Sequence, residues 1–345
     1  MFYNTSFFIF VAMEIKYSFI IPVYNRPEEI EELLISMAKL QFNKPYEIVI
    51  IEDGSTLSSE QIITKFSETL DISYYQKENS GPGDSRNYGM QKAKGNYFLI
   101  LDSDCILPEN YLIEVDNSLN ENYVDCFGGP DAAHESFSDI QKAINYVMTS
   151  FFTTGGIRGG KKSVDAFQPR SFNMGLSRKA FVVTGGFGKI HPGEDPDLTI
   201  RLWKNGYKTK LITEAYVYHK RRISWSKFHT QVQKFGKCRP ILNHWHPETK
   251  KITYWFPTLF VAGVLGSIIA MLLSHYIFVL LMGVYVTLIF IDSTIKNSSI
   301  KIGLLSIFAL FIQFFGYGLG FLESTIKVGI LKQKPQEAFP FLFFK

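Results

Sequence analysis

Tyr97-Phe-Leu-Ile-Leu-Asp-Ser-Asp104 is an apolar run of strand length that ends in two carboxylates two residues apart. Residues i and i+2 of an extended segment point the same way, so Asp102 and Asp104 face one ligand while Ser103 faces elsewhere. Such a pair suits magnesium or manganese, whose octahedron is completed by water and substrate phosphates, and so implies a phosphate-bearing substrate.

Outward from this strand the same design repeats. Tyr17 to Val23, Glu47 to Ile51 and Ile72 to Gln76 are further short apolar runs. Between them lie helical patterns: Ile30, Leu33, Leu34, Met37 and Leu40 after Pro27, then Ser58 to Leu70, then Asp84 to Lys94. Strand and helix in alternation, with nearly continuous apolar strands, predict an α/β fold with a mainly parallel sheet covered on both faces. Ligands of such sheets bind beyond the carboxyl ends of the strands. The polar features fall there: Pro22-Val-Tyr-Asn-Arg-Pro27, Glu52-Asp-Gly-Ser55, Asn79-Ser-Gly-Pro-Gly-Asp-Ser-Arg-Asn87 and Asp102-Ser-Asp104 supply one rim from four strand ends. Beyond Cys126 a helix is predicted from about Phe137 to Phe152. It leads into Thr154-Gly-Gly-Ile-Arg-Gly-Gly160, a loop suited to wrapping an anion or acting as a lid.

The last third of the chain has another solvent. Trp255 to Ile291 gives 37 residues without Asp, Glu, Lys or Arg, and Ile302 to Leu322 another 21. The first run has the length of two crossings, with a break near Ser274-His275, and the second that of a third helix. Gly316, Gly318 and Gly320 leave room there for an interfacial or re-entrant segment, so two or three crossings are expected. Between Lys220 and Lys251 stand nine Lys or Arg residues against one acid, Glu248. Basic residues beside a membrane run favour the cytoplasmic side and anionic headgroups, which places the soluble part in the cytoplasm. A third crossing would put Lys327, Lys332 and Lys334 on the outer side, against that bias. Trp225, Phe228, Val232 and Phe235, with Lys227, Lys234 and Lys237 between them, read as an amphipathic helix at the membrane interface. The basic stretch abuts a membrane run and no nucleic-acid module accompanies it, so nucleic acid is not an expected partner. Cys105, Cys126 and Cys238 have neither disulfide nor metal spacing, as in a reducing compartment. The resulting division is an apolar extension or misassigned start at 1–12, a catalytic domain at 13–219, a basic interfacial segment at 220–254, a membrane region at 255–322 and a tail at 323–345.

Together these residues resemble the family 2 glycosyltransferases, whose catalytic domain has the Rossmann-like GT-A fold. The resemblance runs from about Tyr17 to Arg239 and rests on Pro22-Val-Tyr-Asn25, Glu52-Asp-Gly-Ser55, Gly81-Pro-Gly-Asp-Ser-Arg-Asn-Tyr-Gly89, Asp102-Ser-Asp104, Asn173-Met-Gly175 with Gly185-Gly-Phe187, and Gly193-Glu-Asp-Pro-Asp-Leu198. It implies an inverting, metal-dependent transfer of one sugar from a nucleoside-diphosphate sugar. By that resemblance Pro22, Tyr24, Asn25 and Asp53 hold the base and ribose, Gly81 and Arg86 lie near the diphosphate, and Asp102 contacts ribose or sugar. Asp104 holds Mn2+ or Mg2+, with Asp102 beside it and His219 as a further ligand. The general base comes from Glu194-Asp195, with Asp195 preferred. Pro196 also makes Asp195 a candidate N-cap of a helix with an Asp197–Arg201 pair. Processive polysaccharide synthases carry Gln-x-x-Arg-Trp where this chain has Gln231-Val-Gln-Lys234-Phe235, which argues against polymerisation with export. The expected acceptor is a membrane-associated glycan linked to polyprenyl diphosphate, used in cell-surface polysaccharide synthesis at the cytoplasmic face of a cell inner membrane that the chain crosses more than once. The alternatives are transfer to polyprenyl phosphate itself, or a silent sugar-nucleotide-binding membrane subunit.

Overall fold

The computed structural model describes residues 16–132, 137–154, 167–219 and 224–344. The N-terminal run 1–12, Met13 and the glycine-rich loop at 155–160 with Arg158 lie outside the described residues.

The α/β unit starts with β1 (Tyr17–Val23), α1 (Pro27–Met37), β2 (Tyr46–Asp53), α2 (Glu60–Phe66), β3 (Ile72–Lys77), α3 (Pro82–Lys92) and β4 (Tyr97–Leu101). It continues with β5 (Cys105–Ile106), α4 (Tyr111–Glu121), β6 (Cys126–Gly128), β7 (Asp131–Ala132), α5 (Asp139–Thr149) and the short α6 (Phe151–Thr154). After these come β8 (Asn173–Ser177), α7 (Arg178–Thr184), α8 (Glu194–Lys204), β9 (Thr209–Leu211) and β10 (Val217–His219). Seven strands form one sheet in the order β3-β2-β1-β4-β8-β6-β9, and β5-β10-β7 form a small second one. Pairings β3-β2-β1-β4 are parallel, β8 runs against both β4 and β6, and β9 is parallel to β6. The apolar strands read as they do because alternate residues enter two cores. Phe19, Ile21, Ile48, Ile50, Leu99 and Leu101 pack under α1 and α4. Ile20, Val49, Ile51, Phe98 and Ile100 pack on the other face with Met90, Phe181, Leu198 and Leu202. Chain order reverses between β1 and β4, so the crevice opens between Pro22–Asn25 and Asp102–Asp104.

The rest is helical: α9 (Trp225–Trp245), α10 (Phe256–Leu272), α11 (Ile277–Asn297), α12 (Ile300–Ser324) with a π-helical turn over Thr325–Ile330, and α13 (Pro335–Ala338). Among the described residues, Ile252–Leu272, Ile277–Asn297 and Ile300–Ile330 are long and apolar enough to cross a membrane. The first two form a hairpin that turns at Ser274, and Leu272, Leu273, Tyr276 and Ile277 around that turn are exposed.

α12 differs. Its start meets α5 through Lys301–Asp139 (2.7 Å) and its end meets α9 through Lys237–Glu323 (3.0 Å). It touches the hairpin where α10 begins, by Thr258 Oγ1 donating to Gly318 O, and where α11 ends, by Ser293 and Ser306. One face is buried and the other shows Leu304, Phe308, Leu319, Leu322, Ile326 and Ile330 at helical spacing. The glycines that left room for a re-entrant segment lie instead in one continuous helix. A Cβ on Gly320 would stand 2.6 Å from Gln233 O, and one on Gly236 of α9 would stand 2.2 Å from Tyr317 O, so these glycines let two backbones touch. The apolar stripe of α9 is correspondingly turned inward: Phe228 and Val232 are buried with Ile144, Leu310 and Phe314. Past α12 the chain folds back onto the α/β unit. His191 N donates to Leu342 O at 2.8 Å, Phe344 N donates to Lys189 O at 3.1 Å, and Ile190 bridges Phe343.

Candidate active site

Asp102 and Asp104 follow the buried β4 in a tight turn. Asp104 Oδ2 accepts from Arg26 Nη1 at 2.5 Å, and its Oδ1 lies 3.2 Å from His219 Nε2. Asp102 Oδ2 approaches the same imidazole at 3.9 Å, so both carboxylates converge on His219. The convergence is built by backbone pairing: β10 runs against β5 with His219 opposite Cys105, which sets the imidazole beside Asp104. Burial would raise the Asp104 pKa, but His219 and then Arg26 outweigh it and hold the carboxyl well below its usual range.

Asp104 Oδ1 is shut off from water beside His219 Nε2, and a carboxylate oxygen beside an imidazole nitrogen is a donor set that Mn2+ or Mg2+ accepts. Cys105 Sγ also lies within 4.8 Å of these atoms. Its thiol contacts Phe172 O, and burial, reinforced by Asp104, pushes its pKa well up.

Arg86 on α3 is buried and bridges the two acidic groups of the crevice: Nη2 donates to Asp102 Oδ1 at 2.6 Å and Nη1 to Glu194 Oε1 at 3.1 Å. Its Cζ lies 5.3 Å from the centroid of the Phe187 ring. Glu194 also accepts from His191 Nδ1 at 3.0 Å. Burial works to raise the Glu194 pKa, yet His191 and then Arg86 bring it down to about 2. Asp195 lies at the rim, its Oδ2 3.5 Å from Arg170 Nη1. The expected N-cap role is corrected here. Glu194 opens α8 and Gly193, at φ +123°, precedes it, so Asp195 is the second helical residue. The Asp197–Arg201 pair forms at 2.8 Å, and Asp197 Oδ1 also meets His246 Nε2 at 2.8 Å, fastening α8 to the end of α9.

At the other side of the crevice, Pro22 and Tyr24 line the wall, and Tyr24 is exposed. Asn25 holds φ +53°, and its Oδ1 accepts from Thr56 N, Thr56 Oγ1 and Leu57 N, so it joins the loops after β1 and β2. Asp53 is buried and accepts from Lys77 Nζ (2.9 Å), Ser80 N (3.0 Å) and Gly81 N (2.9 Å). It therefore fixes the loop that carries Gly81, whose missing Cβ makes room for the Phe344 ring of the returning tail. Arg170, His191 and Phe344 have no part in the sequence reading, and Arg26 enters it only within the Pro22–Pro27 rim segment. Each is a single residue without periodic or paired spacing; only the adjacency of Arg26 to the Pro22–Asn25 motif hints at a role.

One cavity of about 2750 Å3 joins these groups. It runs from Asp102, Asp104 and Asp195 past α9 to Leu259, Phe260, Leu281 and Tyr285 on the hairpin.

Residues 18–181 match the family model described as Glycosyl transferase family 2. The poly(ribitol-phosphate) beta-N-acetylglucosaminyltransferase TarS of Staphylococcus aureus is 35% identical over 113 residues, covering 32% of this chain and 20% of that protein. The chain thus spans about a fifth of that relative's length. An uncharacterized glycosyltransferase of Haemophilus influenzae is 26% identical over 229 residues, 63% of this chain and 73% of its own. A solved mannosyltransferase, PcManGT of Pyrobaculum calidifontis in complex with GDP-Man and Mn2+, superposes with a TM-score of 0.55 over 94% of this chain and 89% of that one, at 14% identity, a likeness of fold. Residues 18–181 therefore match glycosyl transferase family 2 on a GT-A fold, and among the described residues three long apolar helices follow.

Proposed function

We propose that the protein transfers one sugar, with inversion, from a nucleoside-diphosphate sugar to a polyprenyl-diphosphate-linked glycan at the cytoplasmic face of the membrane, in cell-surface polysaccharide synthesis. The observation that carries this reading is the single cavity that joins the acidic crevice to the apolar hairpin. A soluble acceptor gives no reason for a transferase site to continue between Phe260, Leu281 and Tyr285.

Pro22, Tyr24 and the Gly81 loop held by Asp53 form the nucleotide end. Asp104 and His219, with Asp102, hold the divalent cation. When bound, the cation neutralises charge that develops on the departing nucleoside diphosphate. Arg86 keeps Asp102 and Glu194 in place. Glu194 is buried between Arg86 and His191, and Asp195, at the rim beside Arg170, takes the acceptor hydroxyl's proton. Purified protein assayed for sugar-nucleotide hydrolysis and for transfer to a polyprenyl-diphosphate-linked acceptor tests the roles. Asp104→Ala should abolish stimulation by Mn2+, and Asp195→Asn should slow transfer about 10²- to 10⁴-fold. If neither substitution changes turnover, the assignments fail.

α10 and α11 cross the membrane as a hairpin in this reading, while α12 lies in the cytoplasmic interface beside α9, its exposed stripe toward lipid. Two crossings return the tail to the catalytic side, which accords with the Ile190–Phe343 bridge. Lys327, Lys332 and Lys334 then obey the positive-inside bias. A cysteine placed by Lys332→Cys should react with an impermeant maleimide only after the cells are opened; labelling of intact spheroplasts sinks this topology.

A further inference from the structure

The cavity wall carries acidic, basic and apolar groups. Six of the seven carboxylates that line it, Asp53, Asp102, Asp104, Asp131, Glu194 and Asp195, belong to the catalytic end. The seventh, Glu248, is tied to Lys204 at 2.9 Å. The same cavity is lined by Lys227, Lys234 and Arg239 on α9, by Lys251 just after it, and by apolar residues of the hairpin such as Leu259, Phe260 and Leu281.

Arg239 is the informative member. Its guanidinium lies against the Tyr254 ring, Cζ 4.6 Å from the centroid. Its Nη1 is shut off from water and has no hydrogen-bond partner among the described residues. A desolvated guanidinium N–H without an acceptor is unfavourable, and an anion relieves it. The planar fork fits phosphate oxygens, and the stack on Tyr254 fixes its direction in advance.

We infer that Arg239 is the phosphate-recognition residue of the acceptor subsite, with Lys234 and Lys251 on the same wall, and that its ligand is the phosphate of a prenyl-type alkyl diphosphate. This rests on the proposed function and adds to it a position for each part of the acceptor. Carboxylates, basic side chains and apolar helices lining one cavity suit the sugar-transfer, diphosphate and hydrocarbon parts of such a molecule.

Binding of farnesyl diphosphate and of farnesol to the full chain in neutral detergent tests this directly. Wild type should bind the diphosphate at least tenfold more tightly than the alcohol. Arg239→Gln should weaken the diphosphate roughly tenfold to a hundredfold, the range for a hydrogen bond to a charged group, and leave farnesol as in wild type. Retained farnesol binding shows that the cavity is intact. Arg239→Lys, which keeps the charge and loses the fork, should fall between the two. Equal affinities for diphosphate and alcohol in wild type, or a preference that survives Arg239→Gln, overturn the inference. So does displacement of farnesyl diphosphate by phosphatidylglycerol at equal concentration, which marks a site for bulk lipid headgroups. Failure of the transfer reading shows differently: binding remains dependent on Arg239 while wild type moves no sugar to a lipid-linked acceptor.

Discussion

Replacing Arg86 by Met keeps a long side chain against Phe187 and removes the one cation shared by Asp102 and Glu194. The two partners differ in what they lose. Asp102 is 31% exposed and recovers solvation, whereas Glu194 is 4% exposed and does not. Breaking a buried pair from one side costs about 3–5 kcal/mol, nearly all of it here from Glu194. For a domain of this size that lowers the thermal midpoint by roughly 6–20 °C. The loss depends on pH with a definite sign. Glu194 falls from an ordinary 4.5 to about 2 in the folded protein, so its contribution is full above 4.5 and lost as the pH falls toward 2. The Arg86→Met deficit should thus be largest at neutral pH and shrink below 4.5. Thermal unfolding of wild type, Arg86→Met, Glu194→Gln and the double variant between pH 3 and 7 measures this. The double variant should be more stable than Arg86→Met alone, because a neutral amide in place of the Glu194 carboxylate needs no counter-charge. A deficit under about 1 kcal/mol, or two substitutions that simply add, refutes the buried-bridge account.

Other consequences are quicker to check. The His191 pKa is changed first by burial, which lowers it, and then by Glu194, which prevails and raises it. Its stabilisation is therefore full below an ordinary 6.5 and lost as the pH rises through the folded value, and Glu194→Gln should remove that alkaline step from the unfolding profile. Gly320→Leu drives a side chain into the Gln233 carbonyl and should cost at least about 1–3 kcal/mol, read as a lower midpoint in detergent, whereas Leu319→Ala on the exposed face should change it little. Asn25→Ala removes the acceptor for three donors from the Thr56–Leu57 turn and a residue that tolerates φ +53°; a loss of roughly 1–3 kcal/mol and faster proteolysis near Leu57 are expected. The three buried cysteines should stay unreactive to maleimide until the protein unfolds.

The α/β core was legible because its strands are buried on both faces. Such strands print themselves as unbroken apolar runs, and the polar rim residues then follow at their ends. The contact between His219 and Asp104 was legible only through family resemblance, since β5 and β10 are too short to leave a period. Gly316, Gly318 and Gly320 read as room for an interfacial or re-entrant segment, whereas they let α12 approach α9 and the start of α10 closely, a partner that their spacing does not name. Asp195 looked like a cap because Pro196 follows it; Gly193, free to take a positive φ, ends the preceding loop instead and starts the helix two residues earlier. Arg239 was counted among nine basic residues, and nothing in its spacing separates a shielded guanidinium from solvated lysines.

The tail gives the molecule a second fastening. The catalytic head is joined to the hairpin covalently through α9, and again through Phe339, Leu342 and Phe343 packed beside Ile190 and Trp245. On the proposed topology this second attachment, packed against the end of α9 itself, stiffens the joint between crevice and membrane. An acceptor whose reactive hydroxyl sits at another distance from its lipid anchor would then be refused by reach alone, before any contact with the sugar is made.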